Sequence, residues 1–443
     1  MHTSYNQKLG LPDMGPQETL RISIPLPPAP SKSPCPVFTP GQTHTLTGSS
    51  SKQGGLVPNI AGSAPLTFLT SRQHYTLSTM LASVRISVLL LLAARSVIAY
   101  DAGLRFKSAP EVESRTTEEI YQAALDEGGV VTCWHGGDEA NQQEFLKQAF
   151  EERFPGMTLN LTVDLSKYHD GRIDQQLADG NVYVDSVILQ TLHDFPRWAS
   201  QGALLNYAPL GFEAVEPAYK DSAAAWYGVF HVMWQLIWST SKLPNVEIAE
   251  FDDFLKPELK NKLVLTYPND DDAVLFAFDL IMQEYGIEWL DALLAQNPRW
   301  VRGTATPMTL MMTANQTEAA TFTSFSGFGN IPGVNWTIPT KAQFVSWPQT
   351  AAILKDAPHP EGAKLLHAFL LSPERQQAGG WPVRRDVPLA DDFPLPGLDE
   401  VRSTNATAFG HWMADRSRVE RLRFWLEDRI GTAQGLSPLV DDL

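Results

Sequence analysis

The chain has 443 residues, with 50 acidic against 34 basic groups and only two cysteines. Seven of the basic and two of the acidic groups fall in the first 99 residues, leaving 48 acids and 27 bases for the remainder. So acidic a surface repels phosphate backbones and anionic lipid, which excludes nucleic acid as a natural partner and membrane insertion of the mature chain.

Residues 1–79 are rich in Pro, Ser, Thr and Gly and show no sustained apolar period, so they are expected to be disordered. An extension upstream of the true start at Met80 explains them equally well. Residues 80–99 read as a secretory signal peptide. Arg85 supplies a basic start, residues 86–94 an apolar run, and Val97-Ile98-Ala99 the small side chains before cleavage. The run is about half the length that spans a membrane; a buried core helix or a signal anchor is the alternative. Cleavage after Ala99 would leave Cys133 alone, with no intrachain disulfide, and a secreted location (periplasmic if the host is bacterial). Four sequons, at Asn160, Asn315, Asn335 and Asn405, are compatible with a eukaryotic secretory route and a glycoprotein.

The mature part alternates strand and helix. Residues 116–127 predict a helix stopped by Gly128-Gly129, followed by a strand over 130–134 and the turn His135-Gly136-Gly137-Asp138. A helix with Phe145, Leu146, Ala149 and Phe150 on one face runs to Pro155-Gly156. Strands at 157–163 and 182–189 flank a helix at 170–179. Residues 225–239 suit a strand pair crossing between lobes. A strand at 263–266 leads into Asn269–Asp272, then helices at 273–285 and 288–296, and a Ser/Gly/Phe-rich loop at 321–333. Helices follow at 359–371, from 372 and over 405–428, the last packing Trp412, Leu422 and Trp425. This alternation predicts an α/β fold with a largely parallel sheet.

Several stretches together resemble the type II extracellular solute-binding proteins of ABC importers, in the branch serving ferric iron, thiamine and polyamines. They are residues 357–376 (APHPEGAKLLHAFLLSPERQ), the FEERFPG turn at 150–156, Tyr183-Val184-Asp185, and Tyr267 to Ala273 before a helix. The resemblance implies a two-lobed periplasmic-binding-protein-like type II fold, with mixed, mainly parallel sheets flanked by helices and a ligand cleft between the lobes. Lobe 1 would combine 100–235 with 335–443; lobe 2 would be 236–334. It further implies a monomer that captures a small ligand by hinge closure, without catalysis or cofactor, for a transporter partner that is unknown. Iron-binding members use paired tyrosines where this chain reads TANQTEAATFTSF at 313–325, so no metal ligand set is expected here.

Ligands of open α/β sheets sit where strands end and helices begin. That rule selects His135, Gly136, Gly137 and Asp138, which are either a ligand loop or an ordinary turn with Asp138 as cap, and Gln190 with Thr191. It also selects Asn269, Asp270 and Asp271, where three successive acids exceed what one helix cap needs and would favour a cation. Trp226, Tyr227, Ser324, Phe325, Phe328 and Trp347 could wall the ligand, or be core; Trp234 and Trp238 read as packing. A thiamine-degrading type of enzyme on the same fold would use Cys133 with His135 as base; the alternative is a structural, buried thiol. His169, Asp170 and Asp174 form no metal motif.

Overall fold

The computed structural model describes residues 109–440, so the extension 1–79 and the signal segment 80–99 lie outside the described residues. After β1 (Glu111–Val112), Thr116 caps the helix Thr117–Glu127 in a reciprocal capping box with Glu119, and Gly128 ends it. β2 (Val130–Gly136) and β3 (Thr158–Asp164) are parallel neighbours joined by the helix Glu144–Arg153. The helix Ser166–Asp179 then leads to β4 (Ser186–Leu189), parallel to β2 on its other side. The short β5 (Tyr207–Ala208) pairs with β1.

The long apolar stretch forms two strands, β6 (Tyr227–Met233) and β7 (Gln235–Ser239), which belong to different sheets. β6 completes a five-stranded sheet in the order β3-β2-β4-β12-β6, where β12 (Ser346–Ile353) runs antiparallel to both its neighbours. β7 is the middle of an antiparallel sheet between β10 (Ala320–Ser324) and β11 (Val334–Thr337). β8 (Val264–Thr266) and β9 (Arg299–Val301) form a parallel pair beside it. The fold is thus mixed α/β and two-lobed.

Helices cover both faces of the five-stranded sheet because its strands are buried on both sides. Val131, Cys133 and Ile188 face the helices Thr117–Glu127 and Pro360–Leu370, while Trp134, Val187 and Leu189 face Ile173, Phe195 and Trp198. Gly362 allows the close approach: a Cβ there would lie 2.5 Å from the Val130 carbonyl oxygen.

The structure departs from the sequence reading in four places. Phe145 is 70% exposed, so only Leu146 and Phe150 anchor that helix. The stretch 182–189 is strand only from Ser186. Residues 320–324 are a buried strand rather than loop. The C-terminal segment, expected as one helix over 405–428, divides into the helices Ala408–Ala414 and Arg416–Ile430, the second capped by Asp415. Its apolar residues Phe409, Trp412, Met413 and Leu426 belong to the core that surrounds the helix Asp272–Tyr285. Trp412 Nε1 donates to Asp279 there at 2.7 Å.

Phe409, fully buried against Phe276, Trp347 and Trp412, tests this placement. Phe409→Ala is expected to destabilise the protein by roughly 3–5 kcal/mol, read by urea denaturation with tryptophan fluorescence. A loss within about 0.5 kcal/mol, typical of surface positions, would show that the C-terminal helices are no part of the core.

Candidate functional site

β2 and β4 run in parallel and end together, so the residues after them open on one edge of the sheet. The start of the helix Ser166–Asp179 closes against them, with the Gln190 backbone N–H donating to Ser166 Oγ at 3.0 Å. The crossing strands contribute by alternation: Phe230 and Val232 of β6 and their partners Gln349 and Trp347 of β12 face this edge, while His231 and Pro348 do not. The rest of the lining comes from the turn before the helix Asp272–Tyr285, Thr304 with Ala305, Phe325, and Met413, Arg416 and Arg423 of the C-terminal helices. Together they enclose about 470 Å³, a volume usual for small-molecule sites.

Four sets of hydrogen bonds join the walls across this cavity. Asp138 Oδ2 accepts from Thr304 N at 2.7 Å, Thr304 Oγ1 at 2.6 Å and Ala305 N at 3.1 Å. Lys167 Nζ meets Asp270 Oδ1 at 2.5 Å. Arg302 donates to Asp270 Oδ2 at 2.8 Å and to the Tyr168 hydroxyl at 2.7 Å. Gln190 Nε2 donates to both oxygens of Asp271, at 3.1 and 3.0 Å.

Of the residues chosen from sequence, His135, Gly136, Gly137, Asp138, Gln190, Thr191, Asn269, Asp270, Asp271, Phe325 and Trp347 all line the cavity. Three do not. The Tyr227 hydroxyl is buried against His367 Nδ1 at 2.6 Å, Trp226 packs with the cluster around Trp198, and Ser324 Oγ donates to the Thr304 carbonyl behind the wall. Phe328 packs instead on Phe393 and Trp381. Gly136 and Gly137 serve packing: the space a Cβ would need holds Ser166 Oγ at the first and, 2.6 Å away, Gln142 Oε1 at the second. Trp234, read as packing, lines the cavity with Nε1 unpartnered; Trp238 is core.

The acids that suggested a cation are already engaged. Asp271 caps the helix Asp272–Tyr285, accepting from Ala273 N and Val274 N at 2.8 and 2.9 Å. Asp272 lies between Arg416, at 2.7 Å, and Arg423. Asp170, which also lines the cavity, is pushed up to about 7, by burial and then by the Asp194 charge. Sequence reasoning missed Lys167, His193, Phe230, Gln349, Arg416 and Arg423. Only the last pair left a trace, since a seven-residue spacing puts both on one helix face.

Cys133 does not line the cavity; it is wholly buried and its thiol is pushed up to about 12 by burial. Burial thus favours the neutral thiol over the nucleophilic thiolate. Among the described residues no cluster of three His, Cys, Asp or Glu side chains is arranged to hold a metal ion, and no helix is long and apolar enough to cross a membrane.

With this geometry in view, comparison places the chain. Residues 146–397 match the family described as bacterial extracellular solute-binding protein, and the chain belongs to that family. No curated protein sequence matches it. Among solved structures it is similar to iron-bound HitA from Pseudomonas aeruginosa (17% identity, TM-score 0.52), covering 67% of this chain and 99% of that one. It is also similar to AfuA from Actinobacillus pleuropneumoniae with fructose-6-phosphate bound (16%, TM-score 0.54), covering 69% and 99%. A third is the substrate-binding protein of an ABC transporter from Agrobacterium tumefaciens (14%, TM-score 0.57), covering 69% and 96%. These likenesses establish the two-lobed periplasmic-binding-protein fold.

Burial raises the Asp271 carboxyl from 3.8 to about 6. The folded chain therefore binds this proton more tightly than the unfolded chain, and stability falls as pH rises through that window. Asp271→Asn keeps an acceptor for the helix N–H groups and cannot ionise. Its melting temperature relative to the parent should rise between pH 4 and pH 6 and hold level above; a difference independent of pH would refute the assignment.

Proposed function

We propose that the chain is an exported protein that holds one small polar solute between two jaws and has no catalytic activity. The first jaw is the five-stranded sheet with its helices; the second comprises β7–β11, the helix Asp272–Tyr285 and the C-terminal helices. One observation supports this reading: residues of both walls line the cavity, and several of them keep a buried polar atom that no protein group satisfies. His135 Nε2 and Thr191 Oγ1 belong to the first jaw, Asn269 Oδ1 and Arg423 Nε to the second, and Trp234 Nε1 to the crossing. A buried polar atom left unpaired costs about 1–3 kcal/mol. A solute bonded to both sides removes that cost and stabilises closure about the crossing strands.

Export rests on the 80–99 segment, which would make Tyr100 the first mature residue, and on the extracellular character of the family. All four sequon asparagines are exposed, as N-glycosylation in a eukaryotic host requires. The chain acts as a monomer, and the partner class that the family suggests is a transporter permease.

Native mass spectrometry of the secreted full chain tests the reading by looking for a retained small molecule. Asp138→Ala removes three cross-cavity hydrogen bonds to one carboxylate while leaving the cavity floor intact. At about 1.5–3 kcal/mol for each bond to a charged group, the closed form should lose enough to weaken solute binding tenfold or more and to raise the radius of gyration in solution scattering. Identical scattering curves for parent and variant, together with no retained molecule, would defeat the two-jaw proposal.

A further inference from the structure

Resting on the solute-binding reading, we infer that the solute is an uncharged, polyhydroxylated molecule of monosaccharide or polyol size, recognised by hydroxyl groups rather than by charge. Two independent observations lead there.

The first is that, Asp170 apart, the charged carboxylates around the cavity are matched within the protein. Asp270 is held by Lys167 and Arg302, and Asp272 by Arg416 and Arg423, while Glu420 accepts from Arg416 at 2.8 Å. Asp138 accepts from three donors across the cleft, and Asp271 from the helix start and Gln190. An ammonium group would have to displace one of these bound cations. A phosphate would enter a space walled by aspartates whose own cations are already paired. Neither ion gains the net field that would compensate its loss of hydration.

The second is the composition of what remains unpaired. Trp234 Nε1 and Arg423 Nε can only donate. His135 Nδ1 donates to the Gly136 carbonyl at 2.7 Å, which leaves Nε2 of the neutral ring as an acceptor. Asn269 gives its amide N–H to the Gly431 carbonyl at 3.1 Å, which leaves Oδ1 as a second acceptor. Thr191 Oγ1 can do either, and so, according to tautomer, can His193 Nδ1. An ammonium offers only donors and an ionised phosphate only acceptors; a hydroxyl offers both. Several hydroxyls on one small frame are what satisfies a mixed set spread over both jaws. Phe230 and Trp347 supply apolar walls for the C–H faces of such a molecule.

Isothermal titration of the full chain against glucose, mannose, arabinose and mannitol, beside putrescine, thiamine, ferric citrate and glucose-6-phosphate, decides the matter. Saturable binding of a neutral member is expected, with a Kd changing less than about twofold between 20 mM and 500 mM salt because no ion pair forms. Trp234→Phe and Thr191→Val should each weaken it about tenfold without lowering the ligand-free melting temperature. For one hydroxyl of the bound sugar, the deoxy derivative should bind more weakly to the parent and no more weakly to Trp234→Phe, a signature that lost packing would not give. A charged probe binding while the neutral ones do not would overturn the polyol assignment and leave the solute-binding reading standing. Binding by no probe also overturns the assignment; the retained-molecule spectrum then judges the broader reading separately.

Discussion

The structure depends on one strand that changes sheets. Residues 227–239 run almost without interruption, yet β6 hydrogen-bonds to β12 and β7 to β10 and β11. Trp234 stands at the changeover, where its backbone N–H donates to the Val345 carbonyl at 3.2 Å and its ring meets Trp347 edge-on at 5.0 Å. A strand shared by two sheets cannot lie flat in both, because each sheet has its own twist. The angle between the sheets leaves a gap, and strand alternation decides which side chains look into it. Phe230, Val232 and Trp347 floor the cavity for that reason, and His231 is turned away from it.

Electrostatics follow from how far apart the partners lie in sequence. Asp270 finds Lys167, and Asp272 finds Arg416 and Arg423, each more than 100 residues distant. Three adjacent acids are therefore an excess only in a local view. In the folded chain one caps a helix, one ties the two jaws, and one anchors the C-terminal helix. On the proposed reading, site recognition passes to hydrogen-bonding direction rather than to net charge, since the Arg423 guanidinium is already paired with Asp272.

What was legible in the sequence was local. Thr116, Gly128, Gly180, Ser372 and Asp271 each mark a helix end through their own chemistry, and the structure puts the ends there. The loops after β2 and β4 could be chosen as site residues because the strand-end rule needs only the order of elements. What was hidden required partners. β12 carries Pro348 in a central strand, tolerated beside a register irregularity between Gln349 and Thr350, and no alternation announces it. β10 reads Thr-Phe-Thr-Ser, polar enough for a loop, yet Thr321 and Thr323 are buried because their hydroxyls bond each other and Thr266. The C-terminal helices show their apolar faces plainly, but nothing in a helix names the surface that will cover it. Tyr227 and Trp226 attract attention as aromatic side chains, yet Tyr227 lies three residues before Phe230 with its hydroxyl on His367, and Trp226 precedes the strand and packs on the Trp198 cluster.

The cross-cavity contacts set the energetics of capture. Asp138 to Thr304, Lys167 to Asp270 and Gln190 to Asp271 link protein to protein, so they favour the closed arrangement to the same extent whichever solute lies within. A solute shifts the balance only through contacts that exist in the closed form and not in the open one. The unpaired atoms of Asn269 and Arg423 on one side and of His135 and Thr191 on the other are of that kind, because no molecule of this size reaches both sets once the jaws part. Part of the free energy of closing thus comes from the chain itself, which lowers the conformational cost charged against affinity. Discrimination rests on the remainder, where every hydroxyl that fails to meet its atom leaves a buried group without a partner.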